Sequence, residues 1–462
     1  MKNKTIYLAT LFLTQIFNQN ILAAESLNTT VHNQYQSLRA MGMGNAFTTV
    51  ADDYTALMYN PAMLAKKKRG EIQFTLAGVG ISSNTTKIMK DISDADAGAV
   101  GDTAKATAIS NVLDQYYGKP LGARVEALEI FWVRPHWGIA LIPMDLSLDM
   151  SVNRQLGPAL DLNIKLDSTL AYGYAKEITP TISGGILGKV IHRGSVEQAV
   201  SALELATNSN VLSKERLKDG INVDAEIGFL WQPEFKKTVS AAATKPVDEM
   251  KIEMKPAVAP ALEKPADATT EAPRDPQSES DTAITADAAV PASADTTVAD
   301  KKEEKPAEPI AETAKSEIVT PLSVSFVTRN IISSEFSKST LLNKDATAAP
   351  SKNPRVIDIG VGYDLTTWGD LKLILTAEAK NLLHPNTTVR KSTHAGFEVD
   401  YSPGTWFKTQ FRAGVNQMYF TAGATLLLGI VEIDAVTYGE EVGTTTTNVE
   451  NRVNAVKLGF NF

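Results

Sequence analysis

Asn454-Ala-Val-Lys-Leu-Gly-Phe-Asn-Phe462 puts Val456, Leu458, Phe460 and Phe462 on one side of an extended chain and Ala455, Lys457, Gly459 and Asn461 on the other. Side chains alternate across a strand, so this stretch has one large apolar face and one small or polar face. The two-residue period recurs along the chain. Leu160, Leu162, Ile164 and Leu166 interleave with Asp161, Asn163, Lys165 and Asp167, and the phase runs on through Leu170, Tyr172 and Tyr174. Ile221, Val223, Ala225, Ile227, Phe229 and Trp231 alternate with Asn222, Asp224, Glu226 and Gly228. Ile357, Ile359, Val361 and Tyr363 oppose Asp358, Gly360, Gly362 and Asp364, and Phe407 and Phe411 oppose Lys408, Gln410 and Arg412.

A sandwich with one wet face gives this alternation, and so does a membrane barrel with lipid outside and a wet lumen. The 462 residues could hold two or three soluble domains or one large barrel with appendages. With 43% hydrophobic and 21% charged residues the chain is no disordered polymer. No apolar run is long enough for a transmembrane helix, so a spanning protein here must be built from strands. The net charge of −8 argues against nucleic acid as a partner. The absence of cysteine excludes disulfides and thiolate chemistry and suits passage through an oxidising compartment.

Aromatic placement decides between the two folds. Strands laid end to end fall at 70–83, 124–134, 137–152, 159–176, 181–194, 220–232, 319–332, 354–367, 370–381, 393–402, 405–415, 417–428, 430–440 and 452–462, an even count of fourteen. Alternate connections are tight turns: Pro135-His136, Glu177 to Pro180, Thr367 to Asp370 and Ser402 to Thr405. All five tryptophans, Trp132, Trp137, Trp231, Trp368 and Trp406, fall at the same, periplasmic-side ends of the strands, as do Tyr172, Tyr174, Tyr401 and Phe462. An interfacial girdle accounts for this clustering, and a sandwich does not. The fold expected is an all-β, transmembrane antiparallel barrel of about fourteen strands with an N-terminal plug and a disordered insert.

Residues 1–24 read as a secretory signal, with Lys2 and Lys4 before an apolar run from Ile6 to Leu13 and Ala23-Ala24 at the cleavage region. Plug residues 25–69 would follow, then barrel strands in 70–235 and 319–462. The interposed 236–318 is rich in Ala, Pro, Lys, Glu and Thr and nearly free of aromatics, a composition that cannot bury enough apolar surface to order itself. Strand parity hangs it on the tight-turn, periplasmic side, either as a tolerated insertion or as a tether to a periplasmic protein or peptidoglycan.

Before the first strand stand Arg39-Ala-Met-Gly-Met-Gly-Asn-Ala, then Ala51-Asp-Asp-Tyr, then Met58-Tyr-Asn-Pro-Ala-Met-Leu. This pattern resembles the amino-terminal signature of the FadL-type outer-membrane superfamily, which includes long-chain fatty acid transporters, aromatic-hydrocarbon channels and PorV-like or TraF-like relatives. The resemblance implies a Gram-negative outer membrane as the location, with its lipids as surroundings, and a small plug inside the barrel. It also implies a hydrophobic small-molecule ligand, or a non-transporting scaffold for secretion or surface machinery. Plug residues expected to matter are Gly42 and Gly44 for tight turns, Asp52 or Asp53 to cap a short helix, and Asn60, Pro61 and Ala62 to end it.

Two further features bear on function. The apolar phase of strand 137–152 slips at Ile142-Pro143-Met144, which marks a bulge. It either adjusts barrel curvature or, as the resemblance implies, opens a lateral gate. Two outer connections show helical stripes: Ile109, Val112, Leu113 and Tyr116 in 102–117, and Val196, Val200 and Leu203 in 196–206, with Ser195 and Gln198 as a capping box. They either pack on each other and the rim or form a groove that collects an apolar ligand. The five histidines lack metal spacing, and His192, His384 and His394 read as solvated loop residues. No cofactor motif and no catalytic motif is present, so a non-enzymatic protein is expected.

Overall fold

The computed structural model describes residues 31, 34–153, 159–207, 216–239, 315–404, 406–444 and 447–462. The expected signal segment, 1–24, lies outside them, as does nearly all of the 236–318 insert. Only the edges of that insert are described: Phe235–Val239 and Lys315–Val319 pair as a two-stranded ladder rather than running irregularly.

Fourteen antiparallel strands close into one barrel. They are β1 Glu71–Ser82, β2 Leu121–Arg134, β3 Trp137–Asn153, β4 Ala159–Thr179, β5 Ile182–Ser201, β6 Lys218–Trp231 and β7 Leu322–Arg329. The second half is β8 Val356–Trp368, β9 Leu371–Leu382, β10 Thr393–Tyr401, β11 Phe407–Asn416, β12 Tyr419–Leu428, β13 Val431–Glu441 and β14 Glu450–Asn461. Each strand pairs with its sequence neighbour. Two seams complete the ring: β1 with β14, from Gln73 opposite Asn461 to Ser82 opposite Val453, and β6 with β7, from Ile227 opposite Thr328 to Trp231 opposite Val324. Closure leaves no unpaired edge for the bilayer to solvate.

The alternation read from the sequence is the alternation of the wall. Val456 is 57% exposed on the outside, whereas Lys457 next to it is 2% exposed in the lumen. Outward Ile72, Phe229, Phe326, Val361, Phe397 and Phe411 form part of an apolar outer band, and Trp132, Trp231 and Trp406 stand exposed beside the short turns. Trp132 and Trp137 meet edge to face at 5.1 Å across one such turn. The chain leaves for the insert after β6 and re-enters at β7, at this same short-turn end.

At the opposite, long-connection end, β3, β4 and β5 run 17, 21 and 20 residues and outreach most of the other strands. Their projecting portions are covered by two helices, Thr85–Gly98 and Asp102–Gln115.

Candidate functional site

The plug is built from α1 (Leu38–Gly42), α2 (Ala56–Tyr59) and a 3-10 turn at Pro61–Ala65, nearly all buried within the barrel. Gly42 ends α1, and its carbonyl accepts the Thr421 hydroxyl of the wall at 3.0 Å. Gly44 sits at φ +67°, where a Cβ would lie 2.3 Å from the Ala395 carbonyl oxygen, so only glycine lets the backbone lie this close to the wall. Asp53 accepts the Thr55 N–H at 2.8 Å just ahead of α2, while Asp52 caps nothing. Asn60 is extended and ends α2. Its side chain donates to the Thr48 carbonyl at 2.9 Å and accepts the Ala62 N–H at 3.1 Å, opening the 3-10 turn. Pro61 takes the first position of that turn, where a missing N–H costs nothing.

One face of the plug is held by charge. Arg39 donates to both Glu398 oxygens and to Asp52 and Asp53, each of the latter at 2.7 Å, and its guanidinium stacks over Phe47. Glu398 also takes the Arg412 Nε–H at 2.7 Å. Further round, Arg329 of β7 pairs with Glu226 at 2.6 Å and Asp358 at 2.8 Å and donates to the Met58 and Tyr59 carbonyls. Thr48 binds Glu378, and the Lys380 ammonium donates to the Asn45 carbonyl at 3.0 Å. The opposite face is apolar. Phe47, Tyr54, Leu57 and Leu64 pack against Phe131, Val133, Ile142, Leu187 and Leu230 of the wall.

Pro143 lies beside this apolar face. Ile142 pairs with Thr169 and Asp145 with Asp167, so Pro143 and Met144 face the single Ser168 across a bulge, and the Ser168 hydroxyl donates to the Pro143 carbonyl at 2.6 Å. Ile142 points inward, 2% exposed, while Pro143 and Met144 are half-buried. The irregularity is wider than the sequence reading placed it. β1 shifts register between Thr75 and Ala77, and opposite it Leu128 of β2 takes φ +58°. Leu76 and Leu128 both project outward, so a line of irregular pairing crosses four strands. Its sequence signal is the inward pair Glu126 and Glu129, three positions apart where strict alternation allows two or four.

The outer helices are α3 (Thr85–Gly98) and α4 (Asp102–Gln115). Ile109, Leu113 and Tyr116 are buried with Ile88 against Leu160, Leu162 and Val200 of the projecting strands, with Val112 partly buried beside them. The Tyr116 hydroxyl donates to Asp91 at 2.7 Å, and burial together with that carboxylate pushes its pKa up to about 12. The helix expected over 196–206 is not there: Val196 and Val200 belong to β5, paired with Ile164 and Leu160. A full ladder with β4 overrides the local helical spacing. Helix α5 spans only Ala202–Thr207, with the capping box at Ser201 and Glu204 instead of Ser195 and Gln198 and with Leu203 exposed. Helices α3 and α4 thus close over the projecting strands.

His394 is likewise no solvated loop residue. It is 1% exposed on β10, with Nδ1 bonded to the Gly44 carbonyl at 2.8 Å. His192 pairs with Asp219 at 2.7 Å. Among the described residues no cluster of three potential metal ligands occurs.

Toward the long-connection end, plug and wall leave a cavity of about 60 Å³ lined by Gln34, Tyr35, Asn330, Asn353, Asn381 and His384, together with Glu226, Arg329, Asp358 and Lys380.

No family model and no curated protein matches the sequence. Solved structures do. The monoaromatic hydrocarbon channel CymD is 8% identical, with 91% of this chain and 95% of that one covered at a TM-score of 0.39. The Ralstonia pickettii toluene transporter TbuX is 10% identical over 91% and 96%, at 0.38. A Pseudomonas aeruginosa FadL homologue is 8% identical over 92% and 97%, at 0.34. The chain is similar in outline to these barrels.

Proposed function

We propose that this protein is a plugged outer-membrane barrel of a Gram-negative bacterium for passive uptake of hydrophobic compounds, long-chain fatty acids among them, with lateral exit through the wall at Pro143. The supporting observation is the continuity of apolar surface at the bulge. Ile142 belongs to the buried cluster that the plug shares with the wall, and Leu141 beside it stands on the outer face, as do Leu128 and Leu76. Irregular pairing at this height weakens the ladder where an apolar solute would pass. The solvation cost favours that route. Release into water costs about 0.8 kcal/mol per methylene, on the order of 12 kcal/mol for a chain of about sixteen carbons, and release into lipid avoids it.

Straightening the ladder tests the reading. Pro143→Val combined with deletion of Met144, Leu128 and Leu76 restores one-to-one pairing from β14 through β4. The folded variant should lose most uptake of labelled fatty acid or toluene. Wild-type uptake by this variant overturns the lateral exit, and no uptake by the wild-type protein overturns transport altogether.

The charge-locked plug favours a second reading, a non-transporting scaffold. Arg39 is held by three carboxylates, which keeps the plug seated in the barrel. A scaffold would use the 236–318 segment as a tether to a periplasmic protein or to peptidoglycan. A protein that copurifies instead of a lipid favours this reading.

A further inference from the structure

The cavity between the plug and the long-connection end has a mixed lining, apolar at Met58, Pro354 and Val356, and its polar capacity is partly unused. Gln34 Nε2, Tyr35 Oη, Asn330 Oδ1, Asn353 Nδ2 and Asn381 Nδ2 are buried without a hydrogen-bond partner in the protein, and all five belong to side chains that line it. Such groups cost stability when left unmatched, and gathering five at one place is unusual for a folded interior.

Three of the amides have their orientation fixed. The Asn353 oxygen accepts from Arg193 at 2.8 Å, which leaves its NH2 as the free group. The Asn330 NH2 donates to the Pro354 carbonyl at 2.9 Å, which leaves its oxygen. The Gln34 oxygen accepts from Lys189, which leaves its NH2. The unused set is therefore mainly donors with one fixed acceptor, and the Tyr35 hydroxyl can serve either way.

Formal charge is already balanced in the cavity. Arg329 is paired with Glu226 and Asp358, Lys380 is held by the Asn45 carbonyl, and the two cations and two carboxylates of the lining cancel. An anion would bring a charge with no free partner, and so would a cation. An uncharged group that accepts at one atom and donates at another meets the unused set, and a primary amide or a vicinal diol has that form.

We propose that this cavity binds an uncharged amide- or hydroxyl-bearing small molecule, or the equivalent head of a larger one that extends toward the mouth. The site stands apart from the uptake reading. It concerns a polar group, and it holds whether or not an apolar solute crosses the wall at Pro143. A volume of about 60 Å³ leaves room for a group of acetamide size.

Saturation-transfer NMR on the full-length protein in detergent tests it, with acetamide, glycerol, acetate and methylammonium as probes. Acetamide and glycerol should bind and compete with each other, and acetate and methylammonium should bind at least about tenfold more weakly. Asn381→Leu removes one unused donor without breaking a side-chain bond, and Asn353→Leu removes another. Each should weaken acetamide about three- to tenfold, one hydrogen bond's worth, with heat-modifiable mobility unchanged. If acetate binds as well as acetamide, the site is an anion site and the assignment falls. It falls equally if no probe binds, or if both variants bind like the wild type.

Discussion

Arg39 of the plug and Glu398 of the wall stand 359 positions apart and meet in a forked ion pair, Nε to Oε2 at 2.9 Å and Nη2 to Oε1 at 2.5 Å. The same guanidinium reaches Asp52 and Asp53, so one side chain ties two parts of the plug to β10. Removing one member of a buried pair strands the other, at about 3–5 kcal/mol. Arg39→Ala should therefore loosen the plug without unfolding the barrel, seen as a higher ion conductance in planar bilayers at unchanged heat-modifiable mobility. Arg39→Lys should not restore tightness, because an ammonium cannot span the three carboxylates as the planar fork does. A sealed Arg39→Ala barrel would show that the charge lock does not hold the plug.

Gly185 carries the second prediction. A Cβ there would lie 2.4 Å from the Pro61 carbonyl carbon and 2.5 Å from the Ala62 nitrogen, both backbone atoms that cannot yield without moving the plug. Gly188, three residues along the same strand and facing outward, has nothing within 4 Å of its would-be Cβ. Trypsin should leave buried Arg39 uncut in the wild type and in Gly188→Ala, and cut it in Gly185→Ala. Equal protection of all three would mean the plug does not depend on this contact.

These two contacts show what the sequence could and could not tell. Strand period and tryptophan placement were enough for the barrel, because lipid and lumen impose opposite demands on alternate residues. The plug motif was legible too, through its glycines and Asn60-Pro61. Its partners were not. Glu398, Gly185 and Arg412 sit in ordinary strand alternation, and nothing local marks which lumen residue meets the plug. The helix expected over 196–206 failed for a related reason: Val196 and Val200 fit a helical stripe and a strand face equally well, and only pairing with Leu160 and Ile164 decides. Pro143 was visible as a phase slip. Its continuation through Leu128 and Leu76 was hidden, since a slip with no proline leaves only a displaced pair of carboxylates.

Leu113 tests the cover over the projecting strands. It is fully buried between α4 and the outward side chains Leu160 and Leu162. Leu113→Ala opens a cavity at a cost of about 2–5 kcal/mol, borne by the cover because the wall below keeps its own ladders. Amide exchange in 85–115 should rise by orders of magnitude while exchange in β8 to β14 stays put. Uniform loosening of the whole barrel would refute the separation of cover from wall.

His384 gives the cover of the neighbouring connection a pH dependence. Burial, reinforced by Lys391 and Lys165, lowers its pKa from the usual 6.5 to about 4. Its Nδ1 accepts the Asn386 N–H at 3.1 Å, a bond that only the ring with unprotonated Nδ1 can make. When the connection opens, the ring regains an ordinary pKa and takes up a proton that the closed form refuses. Stability is thus fully present above pH 6.5 and is lost progressively as pH falls toward 4. Amide exchange of residues 383–392 should accelerate across that window in the wild type and stay flat in His384→Gln, which keeps a polar group without the titration. An identical pH profile for the two proteins would assign the effect to other groups.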